Sequence, residues 1–464
     1  MLSKKVIFWF RQDLRISDNP GLVEAAKAGK VLPVYIFDTD SHNNRKRGGA
    51  SKWWLRQSLK ALKESGVPLL IQEGKPLDVL RKLQKTINAE GIYWNRTYTP
   101  YDIARDKEIK LSLIGCRTFN ASLLHEPWTV SNLKGDYYRV FTPFWKKCLT
   151  QDVREIVPTP SVTYVQEYDA SIKNLSLEEV LPQPLWSRKL SPYWMPGEKN
   201  AQKVLQVFIH KKLMSYKEKR DVPALDHTSH LSPSLHFGEI SPHQVLQATK
   251  DLSLPNPLDL YAFHSELGWR EFSASLLYHA PYVVMHPFQE KFKGLSWDRN
   301  SDMVPLWQKG QTGYPIIDAG MRELWETGYM HNRVRMIVAS FLTKHCQVHW
   351  KTGEEHFWDS LVDADLASNV LNWQWVAGCG ADAAPFFRIF NPVTQSKKFD
   401  PQGAYIRQWV SELKDLSPKQ IHTPWTLSPL EQEALKCRIG KDYPLPILDL
   451  DEGRKRALEA YKNL

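Results

Sequence analysis

Val6-Ile-Phe-Trp-Phe10, Val31-Leu-Pro-Val-Tyr-Ile-Phe37, Pro68-Leu-Leu-Ile-Gln72 and Gly91-Ile-Tyr-Trp-Asn95 are four short apolar runs within the first 95 residues. Each has the length of a strand buried on both faces. Between them, Pro20–Ala28, Ser51–Glu64 and Pro76–Ala89 carry helical patterns. Strands of this kind alternating with helices predict βαβ units and a parallel sheet covered on both sides. No GxGxxG follows the first run, so the dinucleotide fingerprint is absent from this doubly wound, Rossmann-like domain. From about 150 to 195, Pro158, Pro160, Pro182, Pro184, Pro192 and Pro196 interrupt any regular element, and the segment reads as a long surface connector. Beyond 197 the strand signals fade. Ala201–Tyr216, Pro242–Leu252, Leu258–His279, Tyr314–Thr327, Asn332–Cys346 and Glu354–Leu361 read as helices. The expected architecture is α/β followed by all-α, with limits at 1–130, 131–196 (connector) and 197–464.

Composition bounds the function classes. The 464 residues contain 42% hydrophobic and 24% charged positions, which excludes wholesale disorder and collagen-like repeats. The formal charge, 61 − 51 = +10, is a moderate hint of a polyanionic partner such as nucleic acid. Five widely spaced cysteines show no CxxC pair, so neither a disulfide framework nor structural zinc is expected, and buried reduced thiols are. The basic lead-in Met1–Lys5 precedes only five apolar residues, too few for a signal-peptide core, and no eighteen-residue apolar run occurs. A soluble cytoplasmic protein with no membrane partner is expected. The 18 tryptophans call for packing or ring stacking.

Four stretches carry chemistry. Thr228-Ser229-His-Leu231-Ser232-Pro233 gathers hydroxyls and backbone N–H groups where a helix could open, suited to a phosphate or to a capped helix with no ligand. Glu266-Leu-Gly-Trp269-Arg270 puts a carboxylate, an indole and a guanidinium on one helix face, able to hold a planar heterocycle or to make an ordinary ion pair beside a core ring. Asn332 and Met336 share a face one turn apart, while Arg333 and Arg335 point elsewhere. His331 reads as a satisfied helix residue. Asp363-Ala-Asp365 resembles a metal DxD, yet no further ligands sit at useful spacing. Pairing with Arg335, or binding a ribose-type hydroxyl, suits it better, and no metal site is expected. Trp373 and Trp375, with Trp350 and Trp297, form either core or a path for an electron.

These residues resemble the photolyase–cryptochrome flavoproteins over essentially the whole chain, closest to class I cyclobutane pyrimidine dimer photolyases. Trp9-Phe-Arg11-Gln-Asp13-Leu-Arg15 resembles the opening signature. Thr312-Gly-Tyr-Pro315 with Asp318, Met330-His-Asn-Arg333 and Asp382-Ala-Ala-Pro385 through Asn391-Pro392 match the flavin-binding half. The resemblance implies that Tyr216, Thr228, Ser229, Leu231 and Ser232 grip the diphosphate of FAD. It implies that Asp363 pairs with Arg335 beside the flavin, that Asp365 bonds its polar edge, and that Asn369 faces N5. Trp373, Trp350 and Trp297 fall on an electron-carrying wire. Glu266, Trp269, Arg270, Asn332, Met336 and Trp375 fall on DNA- and lesion-contacting positions, with Glu266, Asn332, Met336 and Asn369 closest to the chemistry and Arg333 on the DNA backbone.

Departures narrow the reading. His230 makes the diphosphate loop less basic than an Arg would. Thr97-Tyr-Thr-Pro-Tyr101-Asp102 resembles antenna-lining segments but lacks the Asn-Glu pair of folate binders, so the antenna stays open between methenyltetrahydrofolate and a deazaflavin. (6-4) photolyases carry His at the positions of Asn332 and Met336, and plant cryptochromes carry Asp at that of Asn369. The implied activity is light-driven repair of UV-damaged DNA by a monomeric FAD lyase. The chain also ends without a long tail of the kind that signalling cryptochromes use. The rivals are a cryptochrome-type receptor without repair activity and a non-catalytic nucleic-acid or nucleotide binder.

Overall fold

The computed structural model describes residues 4–39, 45–166, 169, 171–298 and 301–464. Met1–Ser3, the start of the basic lead-in, lies outside them. Five strands, β1 (Lys5–Phe10), β2 (Lys30–Asp38), β3 (Leu70–Gly74), β4 (Gly91–Asn95) and β5 (Cys116–Phe119), form one sheet in the order β3-β2-β1-β4-β5, every neighbour parallel. Val6–Phe10 is buried throughout, as both faces are covered by helices. The sheet core includes Trp9, Leu32, Val34, Leu70, Ile92 and Trp94. The sequence reading missed β5 and the Pro100–Ser112 helix, where Thr99 caps the N-terminus by accepting from the Asp102 amide.

The connector is less loosely draped than its prolines suggest. Val165 and Ile172 are buried in the sheet core, and the Val31 amide donates to the Thr163 carbonyl. The opening signature is a buried polar network. Asp13 accepts from the Arg11 amide (2.6 Å) and from Asn95, while the Arg15 guanidinium donates to the carbonyls of Asp18, Ala121 and Gly238.

Compactness divides the chain into two units, residues 1–214 with 229–281 and residues 215–228 with 282–464. These cuts differ from 1–130, 131–196 and 197–464, because the helices between 229 and 281 pack within the first unit. Its longest helix is Pro257–His279, opened by Asn256 and Pro257. In the second unit the expected Asn332–Cys346 helix ends at Ser340, and a π turn, Phe341–His345, follows. Trp350–Ser360 and Leu366–Ala377 complete the part of that unit relevant to function. Among the described residues no helix is long and apolar enough to cross a membrane. All five cysteines are free, four of them buried.

Candidate functional site

In the second unit, the Asn332–Ser340 helix starts at His331, whose Nδ1 accepts from the Arg333 amide at 3.1 Å. The histidine is the N-cap of this helix, a satisfied residue as expected, in a capping role that the sequence reading does not assign. Asn332 is exposed and Met336 half-buried one turn later, so both face outward. Arg335 turns to the other side and grips Asp363 with two hydrogen bonds (3.2 and 2.9 Å), and its Nε donates to the Met330 carbonyl at 2.7 Å. Such a fork is the strong form of an ion pair. Burial lowers the Arg335 pKa, but Asp363, joined by Tyr329 and Glu323, raises it and leaves it above the ordinary value. Tyr329 lies 4.9 Å from the guanidinium and hydrogen-bonds Thr228. Burial, offset by Arg335, pushes its hydroxyl up to about 12.

Glu323 supports this corner. It accepts from the His331 amide at 3.2 Å and from the Tyr405 hydroxyl at 2.5 Å. Burial pushes its carboxyl up to about 7, against the pull of Tyr405, His331 and Arg335.

Asp365 is the N-cap of Leu366–Ala377 and accepts from the Ser368 amide at 2.8 Å. One turn on, the buried Asn369 amide donates to the Glu354 carbonyl (2.9 Å) and to its Oε1 (2.7 Å). With both donor contacts directed at Glu354, the amide oxygen is turned the other way. Glu354 is fully buried and pairs with Lys351 at 2.9 Å.

The three tryptophans that the resemblance puts on an electron path occupy graded depths. Trp373 and Trp350 are buried, and Trp297 is half-buried. The ring of His349 touches both Trp350 and Trp297, at 5.3 Å from each. Trp373 packs edge-on against Phe357 (5.0 Å) and Trp307 (6.2 Å). A Cβ added at Gly353 would lie 2.1 Å from the Trp373 ring, so only glycine admits the indole here. Trp375 is half-buried, on a different side of the helix from Trp373. Sequence reasoning found neither His349 nor Gly353, although the adjacency of His349 to Trp350 was a usable signal.

Arg333 is engaged within its own unit. It donates to Asp221 at 2.6 Å, and its Cζ lies 4.4 Å from the Phe399 ring centroid. Tyr216, in the same 215–228 segment, is buried and lies 5.3 Å from the Arg220 guanidinium.

In the first unit, Ser229, Leu231 and Ser232 lead into a five-residue helix, Ser232–His236, with Pro233 in its first turn. His230 has φ of 53°, a left-handed turn that lets the loop change direction. Glu266 and Trp269 are half-buried on Pro257–His279. The Trp269 indole stacks on Phe141 (3.8 Å, 6° between planes), which covers one of its faces. Arg270 pairs with Glu271 at 3.3 Å. Burial pushes Glu271 up to about 7, although Arg270 and the His125 and Leu124 amides oppose it.

At the carboxyl end of the sheet, where the strand order switches direction between the neighbours β1 and β4, Arg11 bonds Asp106 (2.8 Å), and Arg105 bonds Asp38 (3.2 Å) and Asp102 (2.8 Å). Both guanidinia lie within 5 Å of the Trp9 ring centroid, at 4.9 and 4.8 Å. In open parallel sheets this crevice is the usual ligand position, and Tyr101, from the antenna-like segment, bonds Asp38 there at 2.7 Å.

Residues 6–161 match the DNA photolyase domain, and residues 263–463 match the FAD binding domain of DNA photolyase. The chain is 46% identical to the deoxyribodipyrimidine photo-lyase of Agrobacterium fabrum, over 98% of this chain and 97% of that one. The chain belongs to the DNA photolyase family. Its helical half is an FAD-binding domain, as the resemblance implied. A bacterial class III photolyase from Agrobacterium tumefaciens, solved by crystallography, superposes with a TM-score of 0.95 at 43% identity, covering 100% of this chain and 98% of the other. Cryptochrome-2 of Arabidopsis thaliana is 36% identical over 99% of this photolyase-family chain and 79% of its own length.

Proposed function

We propose that this chain is a light-driven DNA-repair lyase that converts cyclobutane pyrimidine dimers to two pyrimidines. The observation that carries the proposal is the near-full-length identity to the Agrobacterium fabrum photo-lyase. Similarity to a class III photolyase supports class III in place of the class I grouping drawn from sequence motifs.

The residues present fit a flavin. A forked ion pair, Arg335–Asp363, with a half-buried guanidinium and a buried carboxylate, and a buried amide, Asn369, belong to one unit, as a ring with alternating donors and acceptors requires. Reduced FAD, when bound, supplies the chemistry: under light it lends the dimer an electron, which returns once the ring has opened. We assign Tyr216, Thr228, Ser229, Leu231 and Ser232 to holding its diphosphate, and Arg335, Asp363, Asp365 and Asn369 to its ring. Asn369 offers an amide oxygen where a carboxylate would oppose added negative charge. Trp373, Trp350 and Trp297 we assign to carrying electrons inward from the surface.

Glu266, Trp269, Arg270, Asn332, Met336 and Trp375 are assigned to contacts with DNA and lesion, and Arg333 to backbone phosphate. A flipped dimer costs less to extrude than an intact pair. Neither Asn332 nor Met336 can donate a proton as an acid. Reversal of a (6-4) photoproduct needs such a donor, whereas splitting a cyclobutane ring does not. A second, antenna chromophore, a methenyltetrahydrofolate or a deazaflavin, belongs to the 1–130 domain in this reading. The connector 131–196 and the flavin domain 197–464 complete the functional division, and the protein acts as a cytoplasmic monomer.

Similarity to Arabidopsis cryptochrome-2 favours a second reading, a blue-light receptor without repair activity. The test uses two otherwise identical oligonucleotides, one bearing each lesion, illuminated with the chemically reduced protein. Repair of the cyclobutane dimer alone is expected. Repair of neither lesion would favour the receptor, and repair of the (6-4) lesion would overturn the substrate assignment. Absorption spectra before and after denaturation identify both chromophores, and gel filtration reads the oligomeric state.

A further inference from the structure

Arg333 is held by three neighbours within its own unit. Its Nη2 donates to Asp221 at 2.6 Å, its Nη1 lies 3.7 Å from the Met336 sulfur, and its Cζ lies over Phe399 at 4.4 Å. Its Nε is buried and has no hydrogen-bond partner among the described residues. The ion pair is therefore one-pronged. It is also part-exposed, with 20% of the arginine and 33% of the aspartate side chain accessible. A pair of this kind is weak, and a phosphate, with more acceptor oxygens and its own charge, competes for the same guanidinium.

We propose that Asp221 is a latch on Arg333: it holds the guanidinium over Met336 and Phe399 until a DNA phosphate draws it away. Asp221 is thus a positioning residue that sets the threshold for DNA engagement and acts through Arg333. Withdrawal of the guanidinium uncovers the Met336 sulfur, so backbone capture and exposure of the lesion-facing methionine become one event. Asp221 also lies on the segment that carries Tyr216 and Thr228, which links the latch to the chain proposed to grip the flavin diphosphate. The inference rests on the proposed function, because it takes Arg333 as a phosphate ligand.

The experiment measures binding of fluorescent undamaged and dimer-containing duplexes to the flavin-loaded protein in the dark. Asp221→Asn keeps the shape and removes the charge. It should bind both duplexes about 2- to 5-fold more tightly, the strength of a part-exposed ion pair. Asp221→Glu, which can remake the pair, should stay near the parent. In an Arg333→Ala background the gain from Asp221→Asn should vanish, which a general change in surface charge would not do. Unchanged or weaker binding by Asp221→Asn, or a gain that survives in the Arg333→Ala background, overturns the latch. Light-driven repair by the parent protein is scored separately, so a failed latch and a failed repair reading are told apart.

Discussion

Replacing Asn369 by Asp tests the best-defined polar contact of the second unit. The amide donates to Glu354 Oε1 at 2.7 Å and to the Glu354 carbonyl at 2.9 Å, and both residues are buried. The substitution removes both donors and sets one carboxylate against another. At 2.7 Å, two unit charges repel by about 6 kcal/mol at an effective dielectric constant of about 20. That is roughly four pH units of titration at about 1.36 kcal/mol each. One proton is therefore retained in the folded protein, and it goes to the introduced aspartate, because Lys351 already pairs with Glu354 at 2.9 Å. The sign follows from proton binding. An unfolded Asp titrates near pH ~4, so between about pH 4 and 8 the folded variant holds a proton that the unfolded chain has released. Stability relative to the parent therefore falls as pH rises, by up to about 1.4 kcal/mol per unit. Denaturant titrations at pH 5, 6 and 7, followed by tryptophan emission, should show the gap between variant and parent widening by about 2 to 3 kcal/mol across that range. An infrared band for a protonated carboxyl should accompany it. A gap that stays constant from pH 5 to 7 would refute the placement of Asn369 against Glu354.

Glu323, pushed up to about 7 by burial, makes the parent itself lose stability between its unfolded pKa and pH 7. Glu323→Gln keeps the acceptor for the His331 amide and removes the titration, so the variant should gain on the parent by up to about 3 kcal/mol as pH rises from 4.5 to 7; parallel pH profiles would contradict this. Trp373→Phe should abolish light-driven reduction of the oxidised protein, because phenylalanine is far harder to oxidise, while repair by chemically reduced protein continues; loss of both would give Trp373 another role. Gly353→Ala would put a methyl 2.1 Å from the Trp373 ring, which should cost about 1–3 kcal/mol by overpacking and slow the same photoreduction; an unchanged melting temperature would argue against this packing.

What the sequence made legible follows from where its information is local. β1 and β4 are near-continuous apolar runs, and the run Gly91–Asn95 coincides with β4. β5, Cys-Arg-Thr-Phe, is a four-residue edge strand only partly buried, too short and mixed to carry a period. The Pro100–Ser112 helix buries only Asp106 and Ile109, so it has no apolar stripe to read. The helix from Asn332 reads too long in the sequence because its hydrophobic pattern runs on through Phe341 and Leu342, and a change to π hydrogen bonding leaves no compositional mark. At the site, Asp363 was matched to Arg335 because both fall inside recognisable motifs. Glu354, Gly353 and Asp221 were missed because each acts through a contact made only by folding. Asp221 lies 112 positions from Arg333, and nothing in its neighbourhood marks it.

The paired state of the cations in this unit changes what the net charge means. Arg335 faces Asp363, Lys351 faces Glu354, and Arg333 faces Asp221. Three cations drawn from site-bearing segments are thus neutralised within the protein, and the formal charge of +10 is carried elsewhere. For Arg335 and Lys351 the carboxylate partner is buried, so leaving it unpaired would be costly and these two pairs persist. Asp221 is part-exposed and can be left to water at little cost. Of the three pairs, only Arg333–Asp221 is therefore suited to exchange one anion for another. An exchange gains only the difference between two ion contacts, which is why the expected effect of removing Asp221 is a few-fold and not a hundred-fold. Long-range attraction to the backbone must then come from unpaired surface lysines and arginines, with its full dependence on salt, while the Arg333–Asp221 pair decides when the attracted strand is gripped.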